Sequence, residues 1–246
     1  MIDIAVIGSA GRMGKTVCAA VEAAEDMNLV AQIDHEGEIS PDTLGGAQVA
    51  IEFTVPSQTE ANVMALLDAG VDVVVGTTGW GEDALRRVRE RAEQAGRSVV
   101  IAPNFGLSAV FAMKFAAAAA PYFESVEVIE MHHPDKVDAP SGTAKTTAQK
   151  IAAARASAGV GASPDATQTD PGGARGAVVD GVHVHAVRLR GLNAHEEILL
   201  GNPAEQLVIR QDSFDRTSFM PGVLLAARKV RGSGPLTYGL EKFLDI

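Results

Sequence analysis

Residues 2–14 read Ile-Asp-Ile-Ala-Val-Ile-Gly-Ser-Ala-Gly-Arg-Met-Gly, a β-branched run that enters a glycine turn and leaves it as an amphipathic stretch. Ile2 to Ile7 has the character of a first strand and residues 12–24 that of a helix, with Gly8, Gly11 and Gly14 in G-x-x-G-x-x-G spacing at the join. Glycines in that context let backbone approach a pyrophosphate, and the helix start offers it unpaired N–H groups. The triplet alone is a weak signal. Here a second apolar run, residues 28–33, ends on Asp34, where a carboxylate can accept hydrogen bonds from an adenosine ribose. Arg12 sits within reach of a phosphate. Glu36 and Glu38 oppose a 2'-phosphate, a lean towards NAD that leaves NADP open.

Working outward, strands are expected at 48–53, 71–75 and 98–101, with helices near 57–69 and 82–95. Strand and helix in alternation predict a Rossmann-like, doubly wound parallel sheet within an α/β fold. In such a sheet ligands bind beyond the carboxyl ends of the strands. Phe53-Thr54, Gly76-Thr77-Thr78-Gly79 and Ala102-Pro103-Asn104-Phe105 each follow one of these strands, and are candidates to line a nicotinamide pocket. Beyond about residue 105 the pattern changes to successive strands, at 123–131, 182–190, 195–200 and 206–211, which predicts a second α+β domain with a mostly antiparallel or mixed sheet. Residues 159–177 form a polar excursion without periodicity, read as a mobile loop. The tail from Asp215, with Phe219, Val223, Leu224 and Leu225 at helical spacing, is expected to pack back on the first domain. The expected division is residues 1–105 with 216–246 for the dinucleotide and 106–215 for substrate and oligomerisation.

Composition narrows the function. The 246 residues, 46% of them hydrophobic, can bury a large core or two modest ones. An excess of 31 acidic over 21 basic residues disfavours nucleic acid or an anionic membrane as the main partner. Cys18 stands alone, which excludes an intrachain disulfide and a multi-thiolate zinc site. No apolar run is long enough to span a membrane and no signal peptide is evident, so a cytoplasmic protein is the simplest expectation.

The chemistry concentrates in residues 130–144, Glu-Met-His-His-Pro-Asp-Lys-Val-Asp-Ala-Pro-Ser-Gly-Thr-Ala. Two prolines rule out a continuous helix, so His132, His133 and Lys136 lie on a loop between a strand end and a helix that starts at Ser141-Gly142-Thr143. Reduction of a carbon–carbon or carbon–nitrogen double bond needs a hydride and a proton, and a histidine or lysine can supply the second. Lys136, the Ser141 and Thr143 hydroxyls, and the N–H groups of Gly142 and Thr143 offer countercharge for a carboxylate. Asp135 and Asp138 are expected to be solvated, a carboxylate near Lys136 orienting it. His183 and His185 alternate on one strand face, a geometry open to a metal, but with no carboxylate or cysteine pattern nearby they are expected to serve packing or a subunit contact, as are Arg190 and His195. No metal is expected.

Taken with Gly-Ser-Ala-Gly-Arg-Met-Gly, Phe-Thr-Val-Pro, Gly-Thr-Thr-Gly and Ala-Pro-Asn-Phe in the same order, this segment resembles the dihydrodipicolinate reductase family over nearly the whole chain. The resemblance implies NADH- or NADPH-dependent reduction of 4-hydroxy-tetrahydrodipicolinate, a cyclic dicarboxylate of the lysine and diaminopimelate pathway. It implies His132 and Lys136 as the proton-transferring pair, and His133, Gly142 and Thr143 as substrate contacts alongside Ser141. Cofactor contacts are implied at Gly8, Ser9, Ala10, Gly11, Arg12, Met13 and Gly14, at Asp34, at Gly76, Thr77 and Thr78, and at Ala102, Pro103, Asn104 and Phe105, to which the place of Phe53 after the third strand adds a further candidate contact. A cytoplasmic homotetramer is also implied. Trp80 stands where the family often shows phenylalanine. On the residues alone, a reductase acting on another amino acid and a nucleotide-sensing binding protein stay open.

Overall fold

The structure, a computed structural model, describes residues 1–35 and 37–244. Glu36 lies outside the described residues. Contacts divide the chain into two compact units, Met1–Gly106 with Arg216–Ile246, and Leu107–Asp215.

In the first unit the opening glycine turn joins β1 (Ile2–Ile7) to α1 (Arg12–Glu22), followed by β2 (Met27–Ile33), β3 (Val49–Glu52), α2 (Pro56–Asp68), β4 (Asp72–Val75), α3 (Glu82–Ala95) and β5 (Val99–Ile101). The strands β3, β4 and β5 are buried at every position. Continuous β-branched burial of that kind is what a parallel sheet covered on both faces requires. All pairs are parallel, and with the late strand β11 (Thr237–Tyr238) the order is β11-β5-β4-β3-β1-β2. The chain winds one way from β1 to β2 and the other way from β3 onward. The carboxyl ends of β1 and β3 therefore flank the point where a ligand crevice opens.

The tail folds as a 3-10 turn (Arg216–Phe219) and α6 (Met220–Lys229), whose Val223, Ala226 and Ala227 are buried against α1, β3 and β4. Two-residue β11 carries too little pattern to be read from sequence.

The second unit comprises α4 (Leu107–Ala119), β6 (Ser125–His132), α5 (Gly142–Ser157), β7 (Ala177–Val179), β8 (Val182–Arg188), β9 (Ala194–Asn202) and β10 (Glu205–Ser213). Its five-stranded sheet has the order β10-β9-β6-β8-β7 and is mixed: β6 and β8 run parallel and the other pairs antiparallel. One face packs on the two helices. Val126, Val128, Val182, Val184, Ile198 and Leu200 meet Ala112 and Ala116 of α4 and Ala144, Ala148 and Ile151 of α5. Helix α4 is absent from the periodicity reading because Leu-Ser-Ala-Val-Phe-Ala-Met-Lys-Phe-Ala-Ala-Ala-Ala is apolar nearly all round and shows no stripe. Residues 160–176 hold neither helix nor strand, and β7 emerges directly after them. This segment is pinned by Arg175, which pairs with Asp165 and with Glu127 of β6. Arg155, 6% exposed near the end of α5, donates to the carbonyls of Ala120, Phe123, Glu124 and Gly161. Among the described residues no helix is long and apolar enough to cross a membrane.

Candidate functional site

In the first unit the glycine turn is shaped by close backbone approach. Gly8 adopts φ +81°, and a Cβ there would lie 2.2 Å from the Phe53 carbonyl oxygen, while one on Gly14 would lie 2.0 Å from the Gly8 oxygen. Neither position accepts a side chain without the turn moving. Gly8 and Ser9 both donate to the Ile33 carbonyl at 2.7 and 3.2 Å, which ties the turn to the end of β2 beside Asp34. Helix α1 has no side-chain cap and no acidic residue in its first turn. The N–H groups of Arg12, Met13 and Gly14 therefore face outward with the positive end of the helix dipole behind them.

A cavity of about 420 Å³ opens here, lined among others by Gly8, Gly11, Asp34, Phe53, Thr54 and Asn62. The loops after β4 and β5 do not line it, but they touch residues that do. The Thr54 N–H donates to Thr77 Oγ1 at 2.8 Å, Trp80 Nε1 donates to the Thr77 carbonyl at 2.9 Å, and the Phe53 and Phe105 rings lie 5.8 Å apart. Asn104 Oδ1 accepts from the Gly106 N–H at 2.7 Å, which closes a turn around Phe105, just after Ala102 and Pro103. One buried group here lies outside the sequence reading. Glu52, fully buried at the end of β3, accepts from the hydroxyls of Thr54 and Thr59 and anchors the loop carrying Phe53. An uncapped helix start, a carboxylate at the end of the next strand and an apolar rim are the donor set a nicotinamide dinucleotide needs, so the residues fit that cofactor.

In the second unit the site grows out of the period of a single strand. Val126 and Val128 of β6 point into the core, and the same face continues with Glu130 and His132. Glu130 is fully buried. Its Oε2 lies 2.6 Å from His132 Nδ1 and accepts from Arg188 Nη1 at 2.8 Å; its Oε1 accepts from Arg188 Nη2 at 2.8 Å and from the Ser141 N–H at 3.0 Å. Burial pushes the carboxyl up, but the hydrogen bonds from His132 and Arg188 outweigh it and hold the group at about 2. Arg188 also donates to the Asp138 carbonyl at 2.7 Å, so one guanidinium joins β8, β6 and the loop beyond β6.

That loop presents the remaining groups. His133 is half-buried, and its carbonyl accepts from the Lys136 N–H at 3.3 Å, closing a turn. Lys136 Nζ donates to Asp138 Oδ1 at 2.6 Å. The Asp138 carboxyl is held below its ordinary range, first by this ammonium and further by the Gly142 N–H. Ser141 is the N-cap of α5: its Oγ accepts from the Ala144 N–H at 3.1 Å and the residue is 2% exposed. The serine thus shapes the helix start, while Gly142 is exposed and Thr143 half-buried at its first turn. No residue of that turn is itself acidic, and the Asp138 carboxylate reaches its Gly142 N–H from the preceding loop.

Glu196 of β9 lies directly opposite Glu130 in the antiparallel register, is 2% exposed, and has one carboxyl oxygen, Oε1, without a hydrogen-bond partner. Burial pushes it up to about 7, with the Thr147 hydrogen bond opposing and the charge of Glu130 adding. Glu130, Arg188 and Glu196 carry no role in the sequence reading. Each is a charge on the strand face that carries core positions, Val126 and Val128 for Glu130, Val182 and Val184 for Arg188, and Ile198 and Leu200 for Glu196, and that break is the signal by which they can be found.

The other histidines lie elsewhere. His185 Nε2 lies 2.7 Å from Glu127, His183 Nε2 lies 3.5 Å from Asp165, and both stand on the face turned away from the core. His195, 5% exposed, pairs through Nδ1 with Asp212 at 2.6 Å. Among the described residues no group of three or more His, Cys, Asp or Glu could hold a metal ion. Cys18 is buried in α1.

Comparison with known proteins gives matches over the full length. The family model for the dihydrodipicolinate reductase N-terminus matches residues 2–105, and that for its C-terminus residues 108–244. A 4-hydroxy-tetrahydrodipicolinate reductase of Beutenbergia cavernae is 60% identical over 246 residues, covering 100% of this chain and 99% of that protein. One from Streptomyces coelicolor is 55% identical, covering 100% of this chain and 98% of that protein. A dipicolinate-bound dihydrodipicolinate reductase from Paenisporosarcina sp. TG-14 superposes with a TM-score of 0.89 at 38% identity, covering 99% and 100% of the two chains.

Proposed function

The chain belongs to the dihydrodipicolinate reductase family, and from that membership we propose how its residues divide the work. The reaction is the NAD(P)H-dependent reduction of 4-hydroxy-tetrahydrodipicolinate to tetrahydrodipicolinate, with loss of water, in lysine and diaminopimelate biosynthesis. The bound nicotinamide supplies a hydride; the chain supplies binding, orientation and the proton.

The first unit holds the dinucleotide. Gly8, Ser9, Ala10 and Gly11 and the first-turn N–H groups of Arg12, Met13 and Gly14 face its pyrophosphate, and Asp34 accepts from ribose hydroxyls. Phe53, Gly76, Thr77 and Thr78, with Ala102 to Phe105, line the nicotinamide end. The second unit holds the substrate. Lys136, His133 and the α5 start at Gly142 and Thr143, shaped by the Ser141 cap, take its carboxylates, and the dipicolinate of the Paenisporosarcina protein is a planar dicarboxylate of the same chemistry. His132 exchanges the proton, and Lys136 adds a second donor and positive charge, oriented by Asp138. The observation that carries this reading is that one buried carboxylate, Glu130, bonds both the His132 ring and the backbone of the α5 cap. Proton exchange and carboxylate recognition are thereby held in one frame.

The enzyme works as a homotetramer in the cytoplasm. Supporting the assembly, Val178, Val187 and Val208 are 62%, 38% and 47% exposed on the sheet face turned away from α4 and α5, where a second copy can cover them. Native mass spectrometry tests the subunit count, and a monomer at micromolar concentration refutes it. For the reaction, NADH and NADPH oxidation is followed with aspartate semialdehyde, pyruvate and a coupling synthase, beside a panel of homoserine and aspartate. Turnover with the coupled substrate alone is expected; activity on homoserine or aspartate with none on the coupled substrate overturns the assignment.

A further inference from the structure

We propose that Glu130 and Arg188 are the positioning pair for His132: they fix the imidazole with its Nδ1–H on the carboxylate, which makes Nε2 the atom that exchanges the proton with substrate. This rests on His132 being the proton-exchanging residue, and adds which ring atom acts and what selects it.

Burying a carboxylate is expensive. Glu130 occupies a strand position whose two predecessors on the same face are core valines, and an unpaired carboxylate there is costly. It is retained with four donors. A guanidinium binds both its oxygens at 2.8 Å, the Ser141 N–H reaches Oε1 at 3.0 Å, and the His132 ring reaches Oε2 at 2.6 Å. A carboxylate bound by arginine through both oxygens is ionised and can only accept. Nδ1 must therefore carry the proton of that bond, and the neutral ring is left with its lone pair on Nε2. His132 is 13% exposed in its side chain and sits at the strand end, where the loop with Lys136 begins.

Arg188 has a second task. By also donating to the Asp138 carbonyl it fixes the loop relative to the ring. The charged groups around the unit are Glu130 on β6, Arg188 on β8, Glu196 facing Glu130 from β9, and the Asp138–Lys136 pair of the loop; α5 contributes the neutral Thr147 and Ser141. The two members of the pair act on the ring with opposite sign. The carboxylate favours imidazolium, and the guanidinium disfavours it. A scaffold role without proton positioning has no such signature.

The test uses the full-length enzyme with four variants. Glu130→Gln removes the negative charge, and the kcat limb that reports imidazole protonation is expected to move down by about one pH unit. In Arg188→Met the same limb moves up. In Glu130→Gln, kcat falls by about 10²-fold while KM for the nicotinamide cofactor stays within about twofold. Glu130→Asp, which keeps the charge, recovers part of the rate. Ring 15N chemical shifts of the wild-type enzyme are expected to show His132 protonated at Nδ1 and bare at Nε2. A wild-type ring protonated at Nε2 instead overturns the proposal, whether or not Glu130→Gln folds. So do folded Glu130→Gln and Arg188→Met enzymes that keep the wild-type pH profile, or move in the same direction. His132→Gln separates the two layers: full activity there overturns the role of His132 itself, whereas an inactive His132→Gln beside an unshifted Glu130→Gln overturns only the positioning pair.

Discussion

Replacing Glu196 by glutamine removes a buried acid whose neutral form the fold requires, and the stability change has a defined dependence on pH. The carboxyl is 2% exposed, leaves one oxygen unpartnered and faces the ionised Glu130 across the β6–β9 pair. Burial first, and the Glu130 charge in addition, carry it from an ordinary 4.5 to about 7. At roughly 1.4 kcal/mol for each tenfold change in proton affinity, that difference is about 3 kcal/mol. The folded chain keeps its proton where the unfolded chain has released it, so the stabilising term is full below the unfolded value and is lost as pH rises through about 7. Of this, about 2 kcal/mol falls between about pH 5.5 and about pH 8.5. Glu130 contributes no slope in that window, because its carboxyl, held at about 2, is ionised in both states; its own stabilisation disappears only as pH falls from the ordinary carboxylate range towards that value. Urea unfolding of wild type and Glu196→Gln at the two pH values, at matched protein concentration, measures the difference. Comparing across pH cancels the constant cost of seating the new amide. Relative to wild type, the variant should gain about 2 kcal/mol more at the alkaline pH than at the acid one. A pH-independent difference refutes the claim that Glu196 is buried as a neutral acid.

Three further outcomes follow from named contacts. Gly14→Ala places a methyl 2.0 Å from the Gly8 carbonyl, and NADH affinity by fluorescence titration should fall by about tenfold or more, roughly 1.4 kcal/mol; unchanged affinity contradicts the assignment of this turn to the pyrophosphate. Arg155→Met strips donors from the carbonyls of Ala120, Phe123, Glu124 and Gly161, and should cost about 2–4 kcal/mol in denaturant unfolding; a loss below about 0.5 kcal/mol shows that water replaces the guanidinium. Lys136→Ala should lose most turnover while cofactor binding survives, and full turnover in steady-state assays removes Lys136 from the chemistry.

Much of this architecture is written in local pattern. The β-branched runs of β1, β3, β4 and β5 announce a parallel sheet because burial on both faces leaves no room for polar alternation. The prolines and the Ser141 cap likewise announce a loop followed by a helix start between β6 and α5. Helix α4 is hidden by the opposite cause, an apolar surface all round that erases the helical stripe. The tertiary partners of the site are hidden for a different reason. Glu130 meets Arg188 and Glu196 only because β6 lies between β8 and β9, a strand order that no local window encodes. Their trace in the sequence is indirect, a charge where the alternation of each strand calls for an apolar side chain. The burial of Ser141, 2% exposed, illustrates the same limit, since it emerges only once the helix packs.

In the proposed division of labour the first unit holds the cofactor, and His132 at the end of β6, with Lys136 on the loop that follows, handles the proton. The most direct test measures kcat and NADH affinity side by side for wild type and His132→Ala. The expected result is a kcat lower by about 10²-fold or more with NADH affinity within about twofold of wild type. An unaltered kcat, or a loss of activity that follows entirely from lost cofactor affinity, contradicts it.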